Sequence, residues 1–198
     1  MRFKLLGTDV YIGFMFSAVI VLLLIFDKSY TAVFAVIAAT LHEIAHLCCF
    51  LYFGQIPERV ELNGLGMRIS RGQNTKMSLR QESIAALAGP ITNVVLAIIT
   101  VAMPNIEWAS RATAINLSLA LFNLLPIFEL DGGRAIYYLL CVDFEERTAN
   151  KAITVLSTIT LFFLYLLGFI VLFRSAYNFT LIATTVYLTV LTIAKKPM

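Results

Sequence analysis

Charge is what this sequence has least of. Only 14% of its 198 residues are Asp, Glu, Lys or Arg, against 60% hydrophobic, whereas a soluble domain carries about 25% charged residues. Mean hydropathy is +0.85. These values exclude a soluble globular domain and put nearly the whole chain in a lipid bilayer. Basic clusters set apart from the apolar segments are missing too. The net charge of +3 and pI near 8.8 therefore give no reason to expect a nucleic-acid partner. Cysteine is limited to Cys48 and Cys49, which are adjacent, and the distant Cys141, so no disulfide framework is expected. A cleavable signal peptide is not expected either. The first apolar run is too long for an h-region and no small-residue cleavage site follows it. Tryptophan occurs once, and histidine only twice.

Both histidines fall in one stretch, Leu41-His42-Glu43-Ile44-Ala45-His46-Leu47, inside a run that is otherwise apolar from Tyr30 to Phe53. On a helix His42 and His46 stand one turn apart on one face, so both imidazoles can reach a single metal ion. Glu43 sits about 100° around from His42, near the metal without having to bind it, which suits a base acting on water. Ionisable side chains on a membrane-length helix are costly and mark function by default. Cys49 shares the histidine face, where it can act as a ligand or as a small buried hydrophobe.

Six apolar runs are readable, about Val10–Phe26, Tyr30–Phe53, Ser83–Met103, Ala112–Phe128, Ala152–Phe173 and Ala176–Ala194. Each approaches the roughly 17–25 residues that a helix needs to cross the hydrocarbon core. The expected fold is an all-α polytopic membrane protein, a single integral membrane domain over residues 1–198 with six spans. The fourth span is broken, because Pro126 cannot continue the backbone ladder and Gly132-Gly133 permits a sharp change of direction. Between the second and third spans, Val60–Ile69 places Asn63-Gly64 between two alternating segments, the signal of a β-hairpin with a type I′ turn. It is expected at the cytoplasmic face, with an edge open to strand addition by an extended peptide.

A zinc site with two histidines needs a third protein ligand and an open fourth position. Asp131, beside the break in span four, is the best-placed carboxylate. Glu129 competes on composition, while Glu145 and Glu146 lie deep in the polar loop Asp143–Lys151. Asn93 stands inside the third apolar run after Ala88-Gly89-Pro90, where an amide in lipid needs a partner or a ligand.

His42-Glu43-x-x-His46, Ala88-Gly89-Pro90-x-x-Asn93, Asn123-Leu124-Leu125-Pro126 and Leu130-Asp131-Gly132-Gly133 together resemble, in order and spacing, the site-2 protease family of intramembrane zinc metalloproteases. The resemblance covers about residues 41–134 and looks most like the sporulation branch, which releases a sigma factor from a membrane-tethered precursor. It implies that His42, His46 and Asp131 bind one zinc ion and that Glu43 is the general base. It further implies that Asn93 and Asn123 line the site and hold the substrate backbone or the developing oxyanion. The activity implied is an intramembrane metalloendopeptidase of a bacterial cytoplasmic membrane, acting near the cytoplasmic face on a membrane-tethered protein and releasing a transcription or sigma factor. A membrane regulatory protein or a second copy of the chain would be a further partner. Two departures stand out. That branch usually carries a cytoplasmic nucleotide-sensing CBS domain after its last span, which is not read in these 198 residues. The residue before the second histidine, often glycine in the family, is Ala45.

The rival expectation is a non-catalytic relative that binds membrane proteins, or a metal carrier. A carrier would spread ionisable residues over several spans to mark a path across the membrane, and here they gather on spans two and four.

With six spans both termini lie on one side. If that side is the cytoplasm, Arg2, Lys4, Arg59, Arg68, Arg71, Lys76, Arg80, Arg134, Arg147, Lys151, Lys195 and Lys196 are inside and only Lys28, Arg111 and Arg174 outside, which together make the 15 Lys plus Arg. The positive-inside rule therefore sets both termini in the cytoplasm. Reporter fusions after Pro197 and within residues 72–76 should report the cytoplasm, and a fusion near Trp108 the exterior. An external signal after Pro197 would reverse the orientation.

Overall fold

The computed structural model describes residues 2–5, 8–13, 21, 25, 27, 29–55, 57–63, 66–71, 77–103, 107–175 and 178–194. The helix that carries both histidines, α1 (Thr31–Tyr52), runs unbroken for 22 residues. Its start is held by Asp27, whose carboxylate accepts from the Ala32 N–H and from the Ser29 N–H and hydroxyl. These bonds, the Ser29 hydroxyl first, hold the Asp27 carboxyl below its usual pKa. Its end is a glycine stop. Gly54 takes φ +72°, a region that disfavours side chains, and the N–H groups of Gly54 and Gln55 close back on the carbonyls of Leu51 and Phe50, both at 2.9 Å.

Helix α2 (Leu79–Val101) starts earlier than its hydropathy suggests. The apolar run begins at Ser83, yet Ser78 and Gln81 form a reciprocal capping box that starts the helix in polar sequence. This helix is central, with α1, α3 (Glu107–Asn123) and α4 (Asp131–Asp143) all packed on it. The reason lies in a stripe of small residues. Ala85, Gly89, Asn93 and Ala97 recur every fourth position and are all buried, which lets neighbouring backbones approach closely in an apolar medium. Facing them, α3 buries Ala109, Ala112 and Ala120. Thr100 and Thr113 join α2 to α3 hydroxyl to hydroxyl at 2.7 Å. At the opposite end of the site from Gly54, Phe34 of α1 stacks on Trp108 of α3, centroids 5.9 Å apart, and the Arg111 guanidinium donates to the Ser29 carbonyl.

The expected fourth span is cut short at Asn123, the last residue of α3. Tight turns follow, Leu125 N–H to Phe122 O, Ile127 N–H to Leu125 O and Leu130 N–H to Ile127 O, before α4 begins at Asp131. A Cβ on Gly132 or Gly133 would run into the carbonyls of Leu124 and Ile127, so the turn closes only over glycine. Two further backbone groups of this break are met by one side chain of α5 (Glu146–Arg174). The Ser157 hydroxyl accepts from Phe128 N–H at 3.1 Å and donates to Pro126 O at 3.4 Å. Ile127 then plugs a core of Leu161, Leu164 and Leu188, which brings in α6 (Thr180–Ala194). The opposite face of α5 leaves Phe162, Phe163, Leu167 and Ile170 exposed, as a lipid-facing side should be.

Of the six expected spans, α1, α2 and α5 are long and apolar enough to cross a membrane. At 17 residues α3 falls short of that length, as does α6 at 15. The first expected span, Val10–Phe26, opens in strand β2, and most of it lies outside the described residues. Val10, Tyr11 and Ile12 are of types that favour strands.

Among the described residues there are four strands, β1 (Arg2–Leu5), β2 (Thr8–Ile12), β3 (Pro57–Asn63) and β4 (Gly66–Arg71), in one sheet of that order. The outer pairs are antiparallel and β2 runs parallel to β3, with Val10 opposite Val60. The expected helical body is present, and the two segments read as a hairpin, β3 and β4, belong to a sheet of four strands. Asn63 pairs with Gly66, so it belongs to the strand and is not a central turn residue. Pairing with β2 on the other edge of β3 reaches Leu62 and prolongs the strand by that much.

Ser157→Ala would leave Phe128 N–H and Pro126 O without their partner in the break. A buried unpaired polar group costs about 1–3 kcal/mol, so Tm in detergent should fall by roughly 3–10 °C. An unchanged Tm would mean that the break is held by other means.

Candidate metal centre

Three ligating atoms from two distant parts of the chain converge. His42 Nε2 lies 3.0 Å from Asp131 Oδ2 and 3.2 Å from His46 Nε2, and His46 Nε2 lies 3.4 Å from the same carboxylate oxygen. The histidines come from neighbouring turns of α1, and Asp131 comes from the first residue of α4, placed by the broken span. Both imidazoles are buried, at 5% and 8% exposure. Two ligands about 2.0–2.1 Å from a tetrahedral ion are about 3.3 Å apart, so this triangle has the edge lengths of a three-ligand metal site.

Hydrogen bonds on the far side of each ring decide what these atoms carry. His46 Nδ1 lies 2.7 Å from the Ala85 carbonyl, which can only accept, so Nδ1 holds the proton and Nε2 presents a lone pair. His42 Nδ1 lies 2.5 Å from Asn93 Oδ1. That oxygen is identified by the other end of the amide, because Asn93 Nδ2 donates to Ala38 O at 3.3 Å and to Asn116 Oδ1 at 2.9 Å. His42 is therefore also protonated at Nδ1 and offers Nε2. Two imidazole lone pairs and a carboxylate oxygen aimed at one point repel one another unless a cation sits there. His42, His46 and Asp131 are the group of potential ligands found among the described residues, and the donor set, two nitrogens and one oxygen, is one that zinc accepts. Backbone also makes room for an ion. A Cβ on Gly89 would stand 2.5 Å from His42 Nε2 and collide with His46 Nε2 as well.

The remaining candidates separate. Glu43 is half-buried, with His46, His42, Asp131 and Arg134 as its electrostatic neighbours, and it stays out of the ligand triangle. Glu129 points elsewhere and accepts from the Thr192 hydroxyl at 3.0 Å. Cys49 is a half-buried free thiol outside the cluster. Asn123 donates to Leu119 O at 3.0 Å within its own helix. For Asn93, expected to line the site and hold substrate, the structure gives contacts to the protein's own groups. Its exposure is 0% and its amide is spent on His42, Ala38 and Asn116, so it serves the imidazole. Asn116 was missed in the sequence. The signal was available, since it is an amide inside the fourth apolar run, as Asn93 is inside the third.

Residues 105–167 match peptidase family M50. That stretch contains Asn123, the break and Asp131, while the two-histidine helix precedes it. The chain is 26% identical over 116 residues to stage IV sporulation protein FB of Bacillus subtilis (strain 168). The alignment takes in 56% of this chain and spans 40% of the length of that relative. Among solved structures, the site-2 protease from Methanocaldococcus jannaschii superposes with a TM-score of 0.69 at 20% identity, covering 100% of this chain and 95% of the other. Over residues 105–167 this chain is thus similar to peptidase family M50, it shares sequence with that sporulation protein over about half its length, and its fold is that of the site-2 protease structure.

Proposed function

We propose that the protein is a zinc-dependent intramembrane endopeptidase. The observation that carries this reading is the convergence of three lone-pair atoms, from His42, His46 and Asp131, on a space that only glycine leaves open. Those three residues would hold one zinc ion. When bound, zinc would supply Lewis acidity, lowering the pKa of a coordinated water to about 7 and polarising a carbonyl. Glu43 takes a proton from the attacking water and passes it to the amide nitrogen that departs as the C–N bond breaks. Asn93 orients His42, and Asn123 is assigned to the substrate. Gly89, Pro90 and Asn93 of α2 are all buried beside the site.

The substrate in this reading is a membrane-tethered protein cut near the cytoplasmic face of a bacterial membrane, with both termini of the enzyme inside and a transcription or sigma factor released. Homology to a sporulation protein supports that substrate class. A transmembrane helix hides its peptide bonds in internal hydrogen bonds, so the scissile segment must first become extended. Among the described residues β4 is an edge strand of the sheet, able to receive an extended segment by strand addition.

Glu43→Gln keeps the shape and removes the base. Zinc content, by elemental analysis of purified protein, should stay near one per chain, while cleavage of a co-expressed tethered substrate should fall by at least about 10²–10⁴. Cleavage at the normal rate would overturn the assigned mechanism. If intact protein and variant both bound tethered proteins and neither cut them, a non-catalytic binding relative would be the better reading.

Gly89→Ala tests the metal space separately. Its methyl group would occupy the position between the two Nε2 atoms, so zinc content should drop close to zero, as in His42→Ala, His46→Ala and Asp131→Ala. Full zinc occupancy in Gly89→Ala would place the ion elsewhere.

A further inference from the structure

A chain of hydrogen bonds crosses three helices and ends on the first histidine. Asn116 lies in α3, 6% exposed, and donates from Nδ2 to Ala112 O one turn back at 2.9 Å. That bond leaves Oδ1 as its acceptor, and Asn93 of α2 donates to it at 2.9 Å. Asn93 then turns its own Oδ1 to His42 Nδ1 in α1. The direction is unique. Turning Asn116 over would set two NH₂ groups against each other and an oxygen against the Ala112 carbonyl. Both amides are buried in an apolar setting, so water cannot replace a lost partner.

The second tie on Asn93 is its bond to Ala38 O. At 3.3 Å it is the longer of the two, against 2.9 Å to Asn116, so Asn116 carries more of the orienting. We propose that Asn116 is a positioning residue for the metal, setting the amide of Asn93 and thereby keeping His42 in the tautomer whose Nε2 is free to bind. This rests on the zinc reading given above. Asn116 touches neither metal nor substrate, and its action passes entirely through Asn93.

A packing role and a positioning role make opposite demands at this position. If Asn116 only fills space between apolar helices, Leu should replace it well and Asp poorly. If it supplies an acceptor to Asn93, the order reverses, because a buried neutral carboxyl keeps both bonds, its O–H donating to Ala112 O and its other oxygen accepting from Asn93, and Leu makes neither. The measurement is zinc affinity of the purified full chain, by competition with a chelator of known affinity. Outer partners of metal ligands typically contribute about 10–100-fold in affinity.

Asn116→Leu and the smaller Asn116→Ala should each weaken zinc binding by roughly tenfold, the low end of that range, and Asn116→Asp should stay close to the parent. Asn93→Leu should lose as much or more, and the pair Asn93→Leu/Asn116→Leu should be no weaker than Asn93→Leu alone, because the second change acts through a residue already gone. Parent affinity in both Asn116→Leu and Asn116→Ala, or losses that add in the double variant, would overturn this inference while leaving the zinc site standing. No zinc in the parent protein would overturn the zinc reading itself, and the inference with it.

Discussion

Two acceptors on helix α2 govern this molecule. Ala85 O and Asn93 Oδ1 each accept a hydrogen bond from the Nδ1–H of an α1 histidine, and that choice turns both Nε2 lone pairs inward. The helix could not approach so closely if its inner face were bulky. The four-residue repeat of Ala85, Gly89, Asn93 and Ala97 is therefore one device with two uses. It brings the backbone and one amide within reach of the rings, and at Gly89 it leaves the space between them clear.

An apolar medium sharpens every polar contact of this centre. In bilayers interhelical hydrogen bonds average only about 0.6 kcal/mol each, so the network adds little to association of the helices. The asymmetry matters more, since a buried group left without a partner costs about 1–3 kcal/mol. Conformations that turn an amide over or swap a tautomer lose more than one such bond at once. The polar residues thus restrict the centre to one arrangement and contribute modestly to stability.

The third corner of the triangle depends on a different constraint. Asp131 can meet α1 only because α3 stops at Asn123 and the chain restarts as α4. A broken backbone inside a bilayer needs all its polar groups matched, and here tight turns and the Ser157 hydroxyl supply the partners. Ile127, seated among Leu161, Leu164 and Leu188, fastens the break to α5 and α6. Helices that hold no ligand are in this way part of how the ligand is placed.

Much of the centre was legible in the sequence because it rests on local periodicity. Two histidines four apart in an apolar run, a glutamate beside the first, a proline and a glycine pair next to a lone aspartate all carry their meaning within a few residues. The capping box at Ser78 was equally local, though hydropathy alone placed the helix start late. Strands β1 and β2 could not be read, because a parallel pairing between residues 8–12 and 57–63 is long-range and Val10–Ile12 looks as apolar as a span. What the sequence by itself determined was which residues are candidate ligands and candidate base, since 3.6-residue periodicity places side chains on one face wherever the helix goes. Which nitrogen each histidine presents, and that the Asn93 amide meets His42, Ala38 and Asn116, was decided only by the tertiary structure. Those facts depend on the carbonyls and amides that α2 and α3 bring alongside, and hydrogen-bond direction exists only between groups already in place.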